Sequence, residues 1–213
     1  MNSSRMNLWL HLWGKQFAVQ PRALPNGRGS VTVRQCVKME EMTEPEAAVA
    51  ILHALKPQES VLLIRRAERA GDPWSGHWSF PGGRRHAEDL DLLQTALREL
   101  EEECGIRLGR EQMESAMPPA PAGQKGRALL LVAPYRFRVE AELPTILDPR
   151  EAVEAAWIPL SVLRDPARHS LSSVPGLPKQ MQYPAIVWNG VPVWGFTYRV
   201  ITIWLGLAGS GTG

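Results

Sequence analysis

Residues 80–106, FPGGRRHAEDLDLLQTALRELEEECGI, decide how the rest of the chain is read. A Pro81-Gly82-Gly83 turn leads into a run of helical periodicity that stops at Gly105, a usual helix terminator. At about 100° per residue, Glu99, Glu102 and Glu103 fall within an arc of about 100°, one turn deep. Leu93, Leu97, Leu100 and Cys104 gather on the opposite side. Like charges at these spacings repel by about 0.2–0.5 kcal/mol per pair, so folding alone gives no reason to collect them. One reading is a solvated acidic face. The other is a divalent cation, because hard cations such as Mg²⁺ take carboxylates, waters and phosphates as ligands. The flanks favour the cation. The glycines let backbone approach a ligand closely, and Arg98 stands where it can orient a carboxylate through a charge-assisted bond.

Length and composition bound the answer. The 213 residues, 44% of them hydrophobic, suit one domain with a proper core. No run approaches eighteen apolar residues, so no membrane span is expected. Cys36 and Cys104 are too few for a disulfide framework, and Cys104 on the apolar side reads as a small buried hydrophobe. A cytoplasmic location is the default. The net charge of +2 hides a split. Residues 1–39 hold six basic residues and no acid; the remaining 18 basic and 22 acidic residues leave the rest at −4. No basic stripe argues for nucleic-acid binding.

Residues 1–42 are read as a poorly ordered or ancillary extension, 43–207 as the catalytic domain and 208–213 as a flexible tail. The acid-poor, Arg-containing leader leaves a mitochondrial presequence as the alternative. Strands are expected at 47–52 and 60–65, around a turn at 56–59. A Gly- and Trp-rich loop follows, then a short strand at 78–80. Residues 118–123 read as an exposed loop. Residues 128–139 read as a strand covered on both faces. A strand at 151–160 leads to a short helix near Val162 and Leu163. Residues 165–179, with three prolines, read as a loop. Residues 183–188 and 191–194 around Asn189-Gly190 read as a β-hairpin with a type I′ turn, its prolines arguing for short or edge strands. A last helix opens at Gly195, with Phe196, Val200, Ile203 and Leu207 expected on the core.

The acid-bearing stretch resembles the Nudix box, G-x5-E-x7-R-E-U-x-E-E-x-G-U with U aliphatic. Residues 98–106 match its second half throughout. The first half departs. Arg98 stands fifteen positions after Gly83 where the common pattern has fourteen, and Asp89 or Asp91 replaces the first Glu. That insertion is similar to the coenzyme A diphosphatase branch, as are LLxxR before the box and WGxT at Trp194. The resemblance implies an α/β Nudix fold, a mixed β-sheet sandwiched between α-helices. It also implies metal-dependent hydrolysis of a nucleoside diphosphate linked to another moiety. Coenzyme A or acyl-coenzyme A is the leading substrate, with ADP-ribose, a dinucleotide, or a non-catalytic nucleotide sensor as alternatives. By carry-over, Glu99, Glu102, Glu103 and the Gly83 carbonyl are the ligands of Mg²⁺ or Mn²⁺, and Arg98 orients Glu99. Glu102 is the first choice for general base, with Glu151 and Glu154 as outside candidates. Arg65, Arg66 and Gly82 are candidate phosphate contacts. Trp74 and Trp78 are read as a stacking platform or as core. His77 is read as structural. Many members of the family are homodimers, which is carried as an expectation here.

Overall fold

The computed structural model describes residues 44–69, 74–123, 129–178 and 180–207. The expected leader and tail, together with Cys36 and Gly71, lie outside these residues. In chain order, β1 (Ala47–Lys56) and β2 (Ser60–Arg66) form an antiparallel pair. The short β3 (Trp78–Ser79) and β4 (Gly82–Arg84) precede helix α1 (Leu92–Cys104). β5 (Met113–Ala116), β6 (Ala120–Ala122) and β7 (Leu130–Ala141) follow. β8 (Ala152–Pro159) runs straight into α2 (Leu160–Arg164). β9 (His169–Ser172), β10 (Tyr183–Trp188) and β11 (Val191–Trp194) lead to α3 (Gly195–Trp204).

Eight strands make one mixed sheet in the order β3-β2-β1-β7-β5, with β8 also on β2, β4 on β1 and β6 on β7. β1 is its spine. It pairs in parallel with β7 from Ala47–Val132 to Lys56–Ala141 and antiparallel with β2 and β4. Successive side chains of a strand face opposite ways, and β1 uses both. Ala50 and Leu52 meet Leu93, Ala96, Leu100 and Cys104 of α1. Ile51 meets Leu160 and Leu163 of α2 and Val200 and Ile201 of α3. The sheet is therefore covered by helices on both faces, the α/β sandwich that the sequence led us to expect. No helix among the described residues is long and apolar enough to cross a membrane.

Four local expectations are corrected. Residues 120–122 form a strand, half-buried against Leu130, Leu131 and Val132. The loop expected at 165–179 contains β9, the outer strand of a second sheet ordered β11-β10-β9. Four residues are too few to show a period; what holds them is His169, whose ring nitrogens meet the Tyr198 hydroxyl and the Leu163 carbonyl, each at 2.9 Å. β7 is covered on both faces only in its first part. From Arg136 onward it alternates, with Phe137 and Val139 buried and Arg138 and Glu140 exposed. Finally, α3 sets Phe196 and Val200 on the core as expected, with Thr197, Tyr198 and Ile201 buried beside them, but Ile203 is exposed. The hairpin stands as expected, with Asn189 and Gly190 both at positive φ (47° and 75°). Pro192 lies on the edge strand, but Pro184 is in the middle one, at its N-terminal end, where it pairs with Leu171 alone.

Candidate active site

The start of α1 is built by two aspartates. Asp91 is the N-cap, accepting from the Gln94 N–H at 2.9 Å, and Arg110 clamps its carboxylate at 3.0 and 2.6 Å. Asp89, buried, accepts from the His86 N–H (2.9 Å), the Thr95 hydroxyl (2.8 Å), and Nε and Nη2 of Arg98 (both 3.1 Å). The Arg98 bonds hold its carboxyl well below the usual range, against the opposing effect of burial. The far side of the same guanidinium reaches the acid cluster. Nη1 donates to Glu99 at 3.0 Å and to Glu102 at 2.8 Å. Arg98 thus links the buried anchor to two of the three glutamates. At the other end Gly105 closes the helix at φ 67°, its N–H donating to Glu101.

The glutamates sit in graded environments. Glu103 is buried, accepts from the Gly82 N–H at 2.8 Å and has Arg66 Nη1 at 3.9 Å. Burial first, then the charges of Glu99 and Glu151, push its carboxyl up to about 8 despite those two partners. Glu99 is also raised, by burial and by Glu102, with Arg98 opposing. Glu102 is half-exposed, its side chain 53% accessible. Cys104, on the apolar side, is a buried free thiol pushed up to about 12 by burial, which leaves it inert.

The two glycines differ in kind. A Cβ on Gly82, at φ 156°, would stand 2.3 Å from the Ala48 carbonyl oxygen. On Gly83 it would stand 2.3 Å from Glu99 Oε1, the end of a flexible side chain. Gly82→Ala is therefore expected to lower Tm steeply, because backbone must move. Gly83→Ala should keep Tm within a few degrees yet lose most turnover, because Glu99 is displaced. Thermal unfolding beside an activity assay separates the two; equal loss of Tm in both variants would deny Glu99 its place against the glycine.

Among the described residues, no three His, Cys, Asp or Glu side chains are already gathered as a metal cage; Arg98 engages Glu99 and Glu102 instead. The donors nevertheless fit a hard divalent ion. They are all oxygens, and Glu99 and Glu103 are carboxylates whose charge the protein interior disfavours until a cation compensates it.

A cavity of about 360 Å³ opens against Gly82 and Gly83. Arg66, Trp74 and Trp78 line it. Arg65 does not; on the neighbouring strand position it pairs with Glu154 at 3.0 Å. The other oxygen of Glu154 accepts from the Asn189 side chain at 2.9 Å, which ties the hairpin to β2. Glu151 is paired with Arg69 at 2.8 Å. Trp78 is core, its indole N–H donating to the Trp188 carbonyl, while Trp74 is 41% exposed. His77 is structural, meeting the Pro175 carbonyl at 3.0 Å and the Trp194 ring edge-on. Sequence reading missed the far wall, made by Trp194, Phe196 and Thr197. Its only signal was the WGxT run, about ninety residues beyond the acidic helix.

A model described as the NUDIX domain matches residues 44–178. An uncharacterized protein of Schizosaccharomyces pombe is 34% identical over 154 residues, 67% of this chain and 45% of that protein. The mitochondrial coenzyme A diphosphatase NUDT8 of Mus musculus is 28% identical over 118 residues, 52% of this chain and 56% of that protein. The chain thus spans about half the length of these curated relatives. Among solved structures, a MutT/nudix family protein from Enterococcus faecalis superposes with a TM-score of 0.51 at 17% identity, over 94% of this chain and 72% of that one.

Proposed function

Since this chain belongs to the NUDIX family, we propose that it is a hydrolase acting on nucleoside diphosphate derivatives and that its substrate is coenzyme A or an acyl-coenzyme A. Cleavage at the diphosphate then gives 3′,5′-ADP and 4′-phosphopantetheine. The observation that carries the reading is the Asp89–Arg98 anchor, which accommodates the one-residue insertion and leaves the three glutamates in place. The likeness to the mouse coenzyme A diphosphatase supports the choice of substrate. Residues 43–207 form the catalytic unit in this proposal. The cytoplasm is its location, with the mitochondrion as the alternative.

Members of the family generally need divalent ions such as Mg²⁺ or Mn²⁺, and here Glu99, Glu102, Glu103 and the Gly83 carbonyl would hold them. The bound ions offset the charge of the diphosphate and lower the pKa of water. The chain's own residues do the rest. Arg98 keeps Glu99 and Glu102 oriented. Arg66 faces the phosphates from the cavity mouth, beside the Gly82 and Gly83 backbone. Glu102, half-exposed, takes the proton of the attacking water as its oxygen bonds to phosphorus. The bridging P–O bond breaks, and two phosphomonoesters leave.

The test is product analysis with Mg²⁺ or Mn²⁺ and a panel of coenzyme A, ADP-ribose and NADH. Preference for coenzyme A is expected; strong preference for ADP-ribose would overturn the substrate. Metal binding has its own readout. The folded-state pKa of Glu103 is raised, so its contribution to stability is full below about pH 4 and is lost as pH rises through about 8. The metal-induced rise in Tm should therefore be larger at pH 8.5 than at pH 6. The expected difference is at least about 2–4 °C, equivalent to ~1 kcal/mol for a domain of this size. An equal rise at both values would remove Glu103 from the ligand set.

A further inference from the structure

We infer that the cavity beyond Gly82 and Gly83 is a specificity site for an uncharged, largely apolar arm of the substrate, and that Ala122 and Phe196 set how much of that arm it takes. The inference rests on the proposed function only in placing the diphosphate beside the acidic helix.

The cavity is polarised along its length. At the box end stand the Gly82-Gly83 backbone, with Val49 packed against Gly82, and Arg66 and Arg84. On the side of β6 and α3 the wall becomes Ala122, Leu130, Trp194 and Phe196. An anion held at the first end directs whatever it carries into the second. At about 360 Å³ the space lies within the range of small-molecule sites. Among the described residues, the apolar end has little with which to read a nucleobase edge. Thr197 is the described hydroxyl nearest that wall, and it already faces the Trp78 carbonyl at 3.5 Å. His77 is engaged with the Pro175 carbonyl, and Ser79 Oγ is shut away from the surface. Burying the several polar edge atoms of a base without partners is costly, whereas methylene groups bring no such demand.

Two elements from distant parts of the chain form this end and are tied together. Arg199 of α3 donates to the Pro121 carbonyl of β6, next to Ala122, and its guanidinium lies 5.9 Å from the centre of the Phe196 ring. Trp194, Phe196 and Thr197 lie beyond residue 178, where the family match ends. The shared domain thus supplies the phosphate end of the cavity and, through Ala122 and Leu130, part of its apolar wall, and the segment after it supplies the rest.

The test is a series of ADP alkyl esters, methyl to octyl, hydrolysed by the whole chain with Mg²⁺. In the unaltered protein kcat/KM should rise with chain length, by up to roughly fourfold per buried methylene, and by at least about tenfold from methyl to octyl. Ala122→Phe, which fills the cavity from an edge strand, should flatten the rise to under about threefold and leave the methyl ester unchanged. Phe196→Ala should cut the octyl advantage while sparing the methyl ester. A flat series in the unaltered protein would overturn the inference. So would an Ala122→Phe variant that slows methyl and octyl esters alike. Replacing adenine by uracil in the octyl ester should change kcat/KM less than shortening the chain does; a larger change, erased by Ala122→Phe, would show that the cavity holds the base and would also overturn it. If no ester is hydrolysed, the proposed catalysis fails separately. Tryptophan fluorescence titration with the same esters then decides the cavity, since Trp74, Trp78 and Trp194 line it. Affinity rising with chain length supports the inference, and equal affinity overturns it.

Discussion

Arg98→Ala should destabilise the protein by about 3–5 kcal/mol, the usual cost of removing one partner from a buried charge pair. Asp89 would be left buried, retaining only the His86 N–H and the Thr95 hydroxyl. Denaturant unfolding reads the loss directly. Pairing the change with Asp89→Asn should recover part of the stability, because the stranded charge is gone, but not the activity, because Glu99 and Glu102 still lack their common donor. Full recovery of both would reduce Arg98 to a fold residue. Arg98→Lys should fall between, since an ammonium cannot span Asp89 and both glutamates as the planar fork does. Acid gives an independent check. The Asp89 pKa is depressed in the folded state, so the anchor contributes fully above about pH 4 and is lost as pH falls below that value. Arg98→Ala should therefore cost most near neutrality and progressively less in acid.

Glu102→Gln should lower kcat by about 10²–10⁴-fold, the range typical of a general base, with the fold retained. The side chain is half-exposed, and its pair with Arg98 spans one helical turn, a geometry worth only about 0.3–0.5 kcal/mol. Circular dichroism and Tm should barely change while product formation with coenzyme A collapses. Turnover within a factor of two of the original would take Glu102 out of the mechanism. Glu151→Gln serves as the comparison. Glu151 is paired with Arg69 and acts on Glu103 only through its charge, so its loss should cost less than about tenfold.

The acidic helix was legible because its signals are local. Asp91, the leucines, the three glutamates and Gly105 lie within fifteen residues, and a 3.6-residue period places them without knowledge of the rest. The roles of Asp89 and Glu154 were not. That Asp89 rather than Asp91 meets Arg98 depends on how residues 84–91 turn back on the helix, with Asp91 spent on the N-cap. From the sequence Glu154 is an outside candidate for the general base. Its two partners, Arg65 and Asn189, come from strand and turn positions far off in sequence. The same holds for β6 and β9. Each is short, three or four residues, and exists because a longer strand offers it an edge, which no periodicity announces. Ile203 failed for another reason. Its apolar side chain fits the period of α3, but Thr197 and Tyr198 hold hydrogen bonds inside the protein and turn their own side of the helix inward.

The parallel union of β1 with β7 has a consequence for how the protein is made. Ala47 waits for Val132, roughly eighty-five residues later, and such distant pairings slow folding because the intervening chain must be closed into a loop first. On a ribosome adding about 5–20 residues per second, the edge of β1 that β7 will occupy stays open for several seconds. The exposed sequence is AAVAIL, uncharged and strand-forming, the kind of segment that joins neighbouring chains when left unpaired. Early pairing with β2, next in sequence, covers only the other edge. Expression at lowered temperature or with a chaperone should therefore raise the soluble yield more than any change on the finished surface.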